Sequence, residues 1–189
     1  MKKLLTLLKK HQQWRENCIN LIASENVMSP LGEKAYVSDL MHRYAEGLPF
    51  KRYYHGLRYF DEIENRTIEK FKKHFRANFV DVRPISGTLA NLAVFSALAK
   101  KGDKILTLGI QGGSHVSHEL PGAAGILGLK VFHFDFDKKI LNIDSEKARE
   151  KILKIKPKLV VLGGSVILFP QTVKELKKIC QKTKTKIIY

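Results

Sequence analysis

Apolar residues recur at helical spacing through Leu4, Leu7, Leu8, Trp14, Cys18 and Leu21, so the chain should open with an amphipathic helix over residues 4–21. Its apolar stripe needs a surface to lie on, which a partner subunit would supply. Ser29-Pro30 reads as an N-cap followed by proline at the first helical position, opening a helix that fades before Gly47-Leu48-Pro49. Residues 46–56 then form an irregular loop, and Phe60, Ile63, Ile68, Phe71 and Phe75 mark another amphipathic helix. Beyond it, short β-prone runs at 79–83, 105–108, 130–134, 159–162 and 186–189 alternate with helical stretches at 88–100, 119–127, 145–154 and 173–182. This alternation predicts an α/β fold with a mainly parallel sheet and helices on both faces, because parallel neighbours need long crossover connections. Ligands in such sheets bind beyond the carboxyl ends of the strands. The last run, Ile187-Ile188-Tyr189, meets no turn residue, so the chain is expected to be truncated within a strand.

Composition narrows the function classes. With 189 residues, 44% of them hydrophobic, the chain can bury one sizeable core. A formal charge of +16 suits nucleic acid, acidic lipid or an anionic substrate. Much of it is spread from Lys138 onward, where 14 Lys and Arg face 4 acids at positions that would meet solvent on helices. No basic helix with interleaved aromatics accompanies the charge, so a solvated lysine-rich surface is preferred over a nucleic-acid-binding protein, which stays as an alternative. The opening Met1-Lys2-Lys3 and its apolar run imitate a secretory signal, but Lys9 and Lys10 interrupt it without a cleavage site, which points to the cytoplasm. No apolar stretch is long enough to cross a bilayer. Cys18 and Cys180 lack CxxC spacing and are expected to be unpaired thiols, and no metal site is expected.

Four segments carry candidate chemistry. Ser86-Gly87-Thr88 sits at a strand-to-helix turn, where free N–H groups, a positive helix end and two hydroxyls converge as a phosphate requires, although an ordinary helix cap uses the same residue types. In Gly112-Gly113-Ser114-His115-Val116-Ser117-His118 the glycines permit close backbone approach to a ligand. One imidazole there can stack on a planar ring, or the histidines can simply be surface residues. Gly163-Gly164-Ser165 places a hydroxyl at a carboxyl end of the sheet, or merely makes a turn. Residues 44–56 crowd Tyr44, Glu46, Lys51, Arg52, Tyr53 and Tyr54 into one loop, fitting either a site or a structural network.

Together these segments resemble the serine hydroxymethyltransferase family. The resemblance rests on Leu21-Ile22-Ala23-Ser24-Glu25-Asn26, on Tyr44-Ala45-Glu46-Gly47 through Lys51-Arg52-Tyr53-Tyr54, on Ser86-Gly87-Thr88-Leu89-Ala90-Asn91, and on Gly113-Ser114-His115 with His118, all in the family's order. It implies the large domain of fold-type I pyridoxal-phosphate enzymes, with residues 1–60 as helical arm and substrate loop and 61–189 as an incomplete cofactor-binding domain. It also implies exchange of a one-carbon unit between serine, glycine and a reduced pterin, either tetrahydrofolate or tetrahydromethanopterin. By position, Ser86, Gly87 and Thr88 would hold the phosphate of pyridoxal 5'-phosphate, His115 would stack on its ring, and Ser165 would lie near the ring hydroxyl. Ser24 would contact the amino-acid carboxylate, and Glu46 would handle a proton. Tyr44, Tyr53 and Tyr54 would reach a site shared with a neighbouring subunit, and Ile110, Ser114, His115 and Val116 would meet the pterin.

The sequence also departs from the family. Ser114 stands where a second glycine is usual, and Phe50 and His55 occupy positions commonly held by glycine. The aspartate for the pyridine nitrogen, the lysine that bonds the cofactor and the arginine for the substrate carboxylate would all fall beyond Tyr189; Lys184 and Lys186 do not match the lysine motif. The chain alone is therefore expected to be inactive, completed by a second piece or acting as a homodimer. Failing that, it would be a non-catalytic relic or interaction subunit.

Overall fold

The protein is described by a computed structural model covering residues 1–22 and 24–189; Ala23, within the first family motif, lies outside the described residues. The N-terminal helical period closes into α1 (Lys2–Glu16), short of Leu21, because Asn17 leaves the helix and its side chain bonds back to the Gln13 carbonyl at 2.8 Å. No residue of α1 is buried, and Leu4, Leu7, Leu8 and Trp14 all face solvent. Ser29 caps α2 (Pro30–Tyr36) by accepting from the Gly32 N–H at 3.1 Å. That helix stops at Tyr36, and a single 3-10 turn at Asp39–His42 follows.

The segment expected to be an irregular loop contains a small antiparallel hairpin, β1 (Gly47–Leu48) with β2 (Lys51–Arg52). Phe50 occupies its turn at φ 62°, the left-handed region that favours glycine. The Phe60-to-Phe75 period folds into α3 (Arg58–Phe75). Residues 79–83 form no strand, contrary to the sequence expectation; Phe79 is exposed, and the Arg83 N–H and guanidinium turn back onto Asp81. Strand propensity describes fit to a half-buried pleated surface, and no paired neighbour provides one here.

The remaining chain winds through α4 (Gly87–Leu98), β3 (Lys104–Thr107), α5 (Ala123–Ile126), β4 (Lys130–His133), β5 (Phe136–Asp137), β6 (Asn142–Ile143), α6 (Ser145–Ile155), β7 (Leu159–Val161), α7 (Val173–Lys182) and β8 (Lys186–Ile188). β3, β4, β7 and β8 make one parallel sheet in the order β4-β3-β7-β8. The helix expected over 119–127 is cut to α5, preceded by a 3-10 turn at Val116–His118, because Pro121-Gly122 interrupts it. The β5–β6 hairpin was not evident in the sequence pattern.

The central strands are buried on both sides, and successive side chains join opposite faces with the period of two. Ile105, Leu159 and Val161 pack with Phe95 of α4 and Ala123 and Ala124 of α5. Leu106, Val160 and Leu162 pack instead with Ile152 of α6 and Leu176 and Cys180 of α7. Helices thus cover both faces. Cys180 is unpaired and buried, which pushes its thiol up to about 11, while Cys18 is unpaired and exposed. The lysines of α6 and α7 mostly face solvent, as expected of a solvated basic surface. Among the described residues no helix is long and apolar enough to cross a membrane.

Candidate cofactor site

A cavity of about 520 Å³ opens where the carboxyl ends of β7 and β8 meet the start of α4. It is lined by Ser86, Gly87, Thr88, His115, Gly164 and Ser165 among others, and none of its lining residues is acidic. The α4 terminus explains the anion-seeking side. Ser86 is its N-cap, with Oγ accepting from the Leu89 N–H at 3.1 Å and its carbonyl accepting from the Ala90 N–H at 3.0 Å. A helix leaves its first four N–H groups without intrahelical partners, so those of Gly87 and Thr88, two residues that line the cavity, are free to meet an anion there, as is the Thr88 hydroxyl. A Cβ built on Gly87 meets nothing within 4 Å, so the turn has open space in front of it.

The opposite wall depends on two glycines, though not in the way the sequence suggested. Gly113, at φ 86°, has the Val166 carbonyl oxygen where a Cβ would stand, and Gly164 has the Gly113 carbonyl oxygen in that place. Their close approach is to each other's loops. The Ser165 and Val166 N–H groups then donate to the Gly113 carbonyl at 2.8 and 3.1 Å, which carries Ser165 to the cavity beside His115.

His118 is buried, and that desolvation, with His115 nearby, pushes its imidazole below the ordinary histidine range. The unfolded chain binds the proton first on acidification, so stability should fall as pH drops through about 6.5 toward the lower folded value. Thermal melts between roughly pH 7 and pH 5 should show that decline, and His118→Gln should flatten it; an unchanged slope in the variant would exclude this histidine as the cause.

The other sequence-derived site residues lie elsewhere. Ile110 and Ser114 line a separate hollow of about 460 Å³ near Val166, with the buried Ser114 hydroxyl turned to His118 at 2.9 Å. Val116 is exposed and lines neither space. Tyr44 and Tyr54 stack at 5.7 Å between centroids and border a third hollow of about 500 Å³. Glu46, Tyr53 and Ser24 are exposed and line neither the cavity nor these two hollows. The main cavity therefore unites Ser86, Gly87, Thr88, His115 and Ser165 and leaves the N-terminal residues apart.

Sequence reasoning gave no role to Arg52, Asn91 or Ser117. Arg52 buries its side chain and donates to Asp61, Glu64 and the carbonyls of Ala45 and Gly47, bracketing Glu46. Asn91 lay in view, three residues beyond Thr88 and therefore on the same side of α4.

The family model described as "Serine hydroxymethyltransferase" matches residues 1–189. Proteins named serine hydroxymethyltransferase are similar throughout: 48% identical over 190 residues in Saccharolobus solfataricus, covering 100% of this chain. Those of Pyrococcus abyssi and Methanothermobacter thermautotrophicus are each 46% identical over 187 residues, covering 99% of the chain. The chain spans 44% of the length of each of the first two relatives.

Proposed function

Because the chain belongs to the serine hydroxymethyltransferase family, we propose that it contributes the phosphate-gripping and ring-stacking part of a pyridoxal 5'-phosphate site for interconverting serine and glycine. The observation that carries this reading is that the α4 terminus, His115 and Ser165 share one cavity whose lining holds no acid. When bound, pyridoxal phosphate supplies the electron-withdrawing ring for chemistry at the amino-acid α-carbon. The chain's own residues bind and orient. Ser86, Gly87 and Thr88 take the phosphate through N–H and hydroxyl donors at the positive helix end. His115 would stack on the ring, and Ser165 would lie near the ring hydroxyl.

Residues outside the cavity belong to the same reading through a neighbouring subunit. Tyr44, Tyr53, Tyr54 and Glu46 sit in a tyrosine-rich segment at the surface, available to a second copy's cavity. Glu46 would hold the proton exchanged with the serine hydroxymethyl group or the pterin, and Ser24 would take the amino-acid carboxylate. Ile110, Ser114 and Val116 would flank a reduced pterin, tetrahydrofolate or tetrahydromethanopterin. In this reading residues 1–60 form the arm and substrate loop, 61–189 form part of the cofactor domain, and α1 finds its cover on a homodimer partner. Exposure of the apolar α1 residues supports that cover.

Within the 189 residues no lysine fits the cofactor-bonding motif, so the chain by itself should bind pyridoxal phosphate reversibly and give no serine turnover. Titration followed by dialysis tests this, since the visible cofactor band should appear and then wash out. Thr88→Ala should weaken binding roughly 10-fold or more, the range for a lost hydrogen bond to a charged group. Equal affinity in Thr88→Ala and His115→Ala would remove the cavity from the reading, and a band that survives dialysis with serine turnover would refute the inactive-alone statement. Turnover regained on adding a second polypeptide that carries the lysine, aspartate and arginine segments would support a site completed by another piece.

A further inference from the structure

Between the phosphate turn and the imidazole runs a chain of side-chain hydrogen bonds that neither ligand-facing role requires. Asn91, half-buried on α4, donates from Nδ2 to Ser117 Oγ at 2.8 Å and stands 3.0 Å from His118 Nε2. An amide nitrogen has two hydrogens to give and accepts nothing, so His118 Nε2 is the acceptor. The His118 proton then sits on Nδ1 and is donated to Ser114 Oγ at 2.9 Å. Burial favours this neutral ring. Ser117, having accepted from Asn91, still has its own hydroxyl hydrogen, and His115 Nδ1 lies 2.8 Å from that oxygen. The Ser117 backbone N–H reaches the same Nδ1 at 3.1 Å. His115 Nδ1 is thus held as an acceptor by two donors of one residue, which leaves its proton on Nε2.

We infer that Asn91, Ser117 and His118 are positioning residues, a relay that locks His115 in its Nε2–H tautomer and one ring orientation, in register with the phosphate turn at the start of Asn91's own helix. This rests on the cofactor reading of the cavity. The relay makes one rigid unit of two features that must meet a single ligand from different parts of the chain: α4, which presents Gly87 and Thr88 to the phosphate, and the 3-10 turn Val116–His118, which His115 precedes as N-cap. Each donor is satisfied once, in one direction, from Asn91 outward, and a half-satisfied version would leave buried nitrogens unpaired. The imidazole then offers a fixed face to the cofactor ring, and no rotation about its Cβ is available without breaking both Nδ1 bonds.

Side-chain ¹⁵N NMR of the histidines, on the ligand-free 189-residue chain, reads the relay directly. His115 should carry its one-bond N–H at Nε2 and His118 at Nδ1. Asn91→Ala should shift His118 away from that tautomer and average the His115 signals, while Ser117→Ala, which removes one oxygen and keeps the backbone N–H, should loosen His115 alone. Both variants should weaken pyridoxal phosphate about 2- to 10-fold, the range of a lost neutral hydrogen bond, and leave inorganic phosphate affinity unchanged. A His115 protonated at Nδ1 in the unaltered chain, or ring spectra unmoved in both variants, would overturn the relay. So would variants that melt lower yet bind pyridoxal phosphate with undiminished affinity. If the tautomers are as stated but added pyridoxal phosphate leaves the His115 signals in place, the relay stands and the cofactor reading of the cavity fails.

Discussion

Arg52→Met should cost about 3–5 kcal/mol in urea unfolding, the range for removing one member of a buried ion pair. The Arg52 side chain is 4% exposed, with Nε 2.7 Å from Asp61 Oδ1 and Nη2 2.5 Å from Glu64 Oε2. Nη1 donates to the carbonyls of Ala45 and Gly47 at 2.6 and 2.8 Å, and the guanidinium lies 5.4 Å from the Phe60 ring centroid. Removing it leaves two nearly buried carboxylates and two carbonyls without their donor. Lysine cannot substitute, because a three-donor ammonium lacks the planar fork that reaches all four oxygens. Adding Asp61→Leu and Glu64→Leu to Arg52→Met should restore much of the loss, as apolar replacement of whole buried ion clusters does elsewhere. A deficit below about 1 kcal/mol for the single variant would mean that the cluster is solvated in solution.

The hairpin's place depends on this cluster. Glu46 lies between the two carbonyls that Arg52 holds, and its own carbonyl accepts from the Tyr53 N–H at 3.1 Å. Anchoring to α3 through Asp61 and Glu64 therefore fixes the backbone on both sides of Glu46.

Gly113→Ala is the second large effect, expected to cost about 3 kcal/mol or more, combining left-handed backbone strain in a residue with a Cβ and overpacking. The added Cβ meets the Val166 carbonyl oxygen, so the two loops must part. Parting them breaks the Ser165 and Val166 N–H bonds to the Gly113 carbonyl and moves Ser165 away from His115. Pyridoxal phosphate binding should fail together with the melting temperature. Gly87→Ala is the internal comparison, since its Cβ meets no atom within 4 Å and its folding should be unaffected. Unchanged melting and cofactor affinity in Gly113→Ala would show that the loops separate freely and that their contact does not shape the cavity.

Much of the fold was readable before any tertiary structure. The helical period in Phe60, Ile63, Ile68, Phe71 and Phe75 became α3, and the apolar runs near 105, 130, 159 and 186 became the parallel sheet with helices on both faces. Ser29 and Ser86 cap the helices that their residue types announce. These signals are local: a cap acts over three residues, and a buried face repeats every two or every 3.6. The failures have the same origin. Residues 79–83 have strand composition, but pairing requires a neighbour that the run itself does not specify, and Pro121-Gly122 broke a helix whose flanks read as helical.

For the site, the sequence by itself determined which chemical groups were present and in what order: a hydroxyl-bearing helix start, a glycine–histidine turn, a serine after a strand and a tyrosine-rich segment with one acid. Tertiary structure alone decided their company. Thr88 and His115 share a cavity because the segment leaving β7 brings Gly164 and Ser165 against Gly113, 52 residues away in the chain as counted from Gly113 to Ser165. Asn91 reaches His118 across 27 residues, and Arg52 buries its side chain only because α3 folds its two acids over it. Local spacing carries no information about such distant partners, and a side chain's hydrogen bonds and dielectric surroundings exist only once the elements have packed.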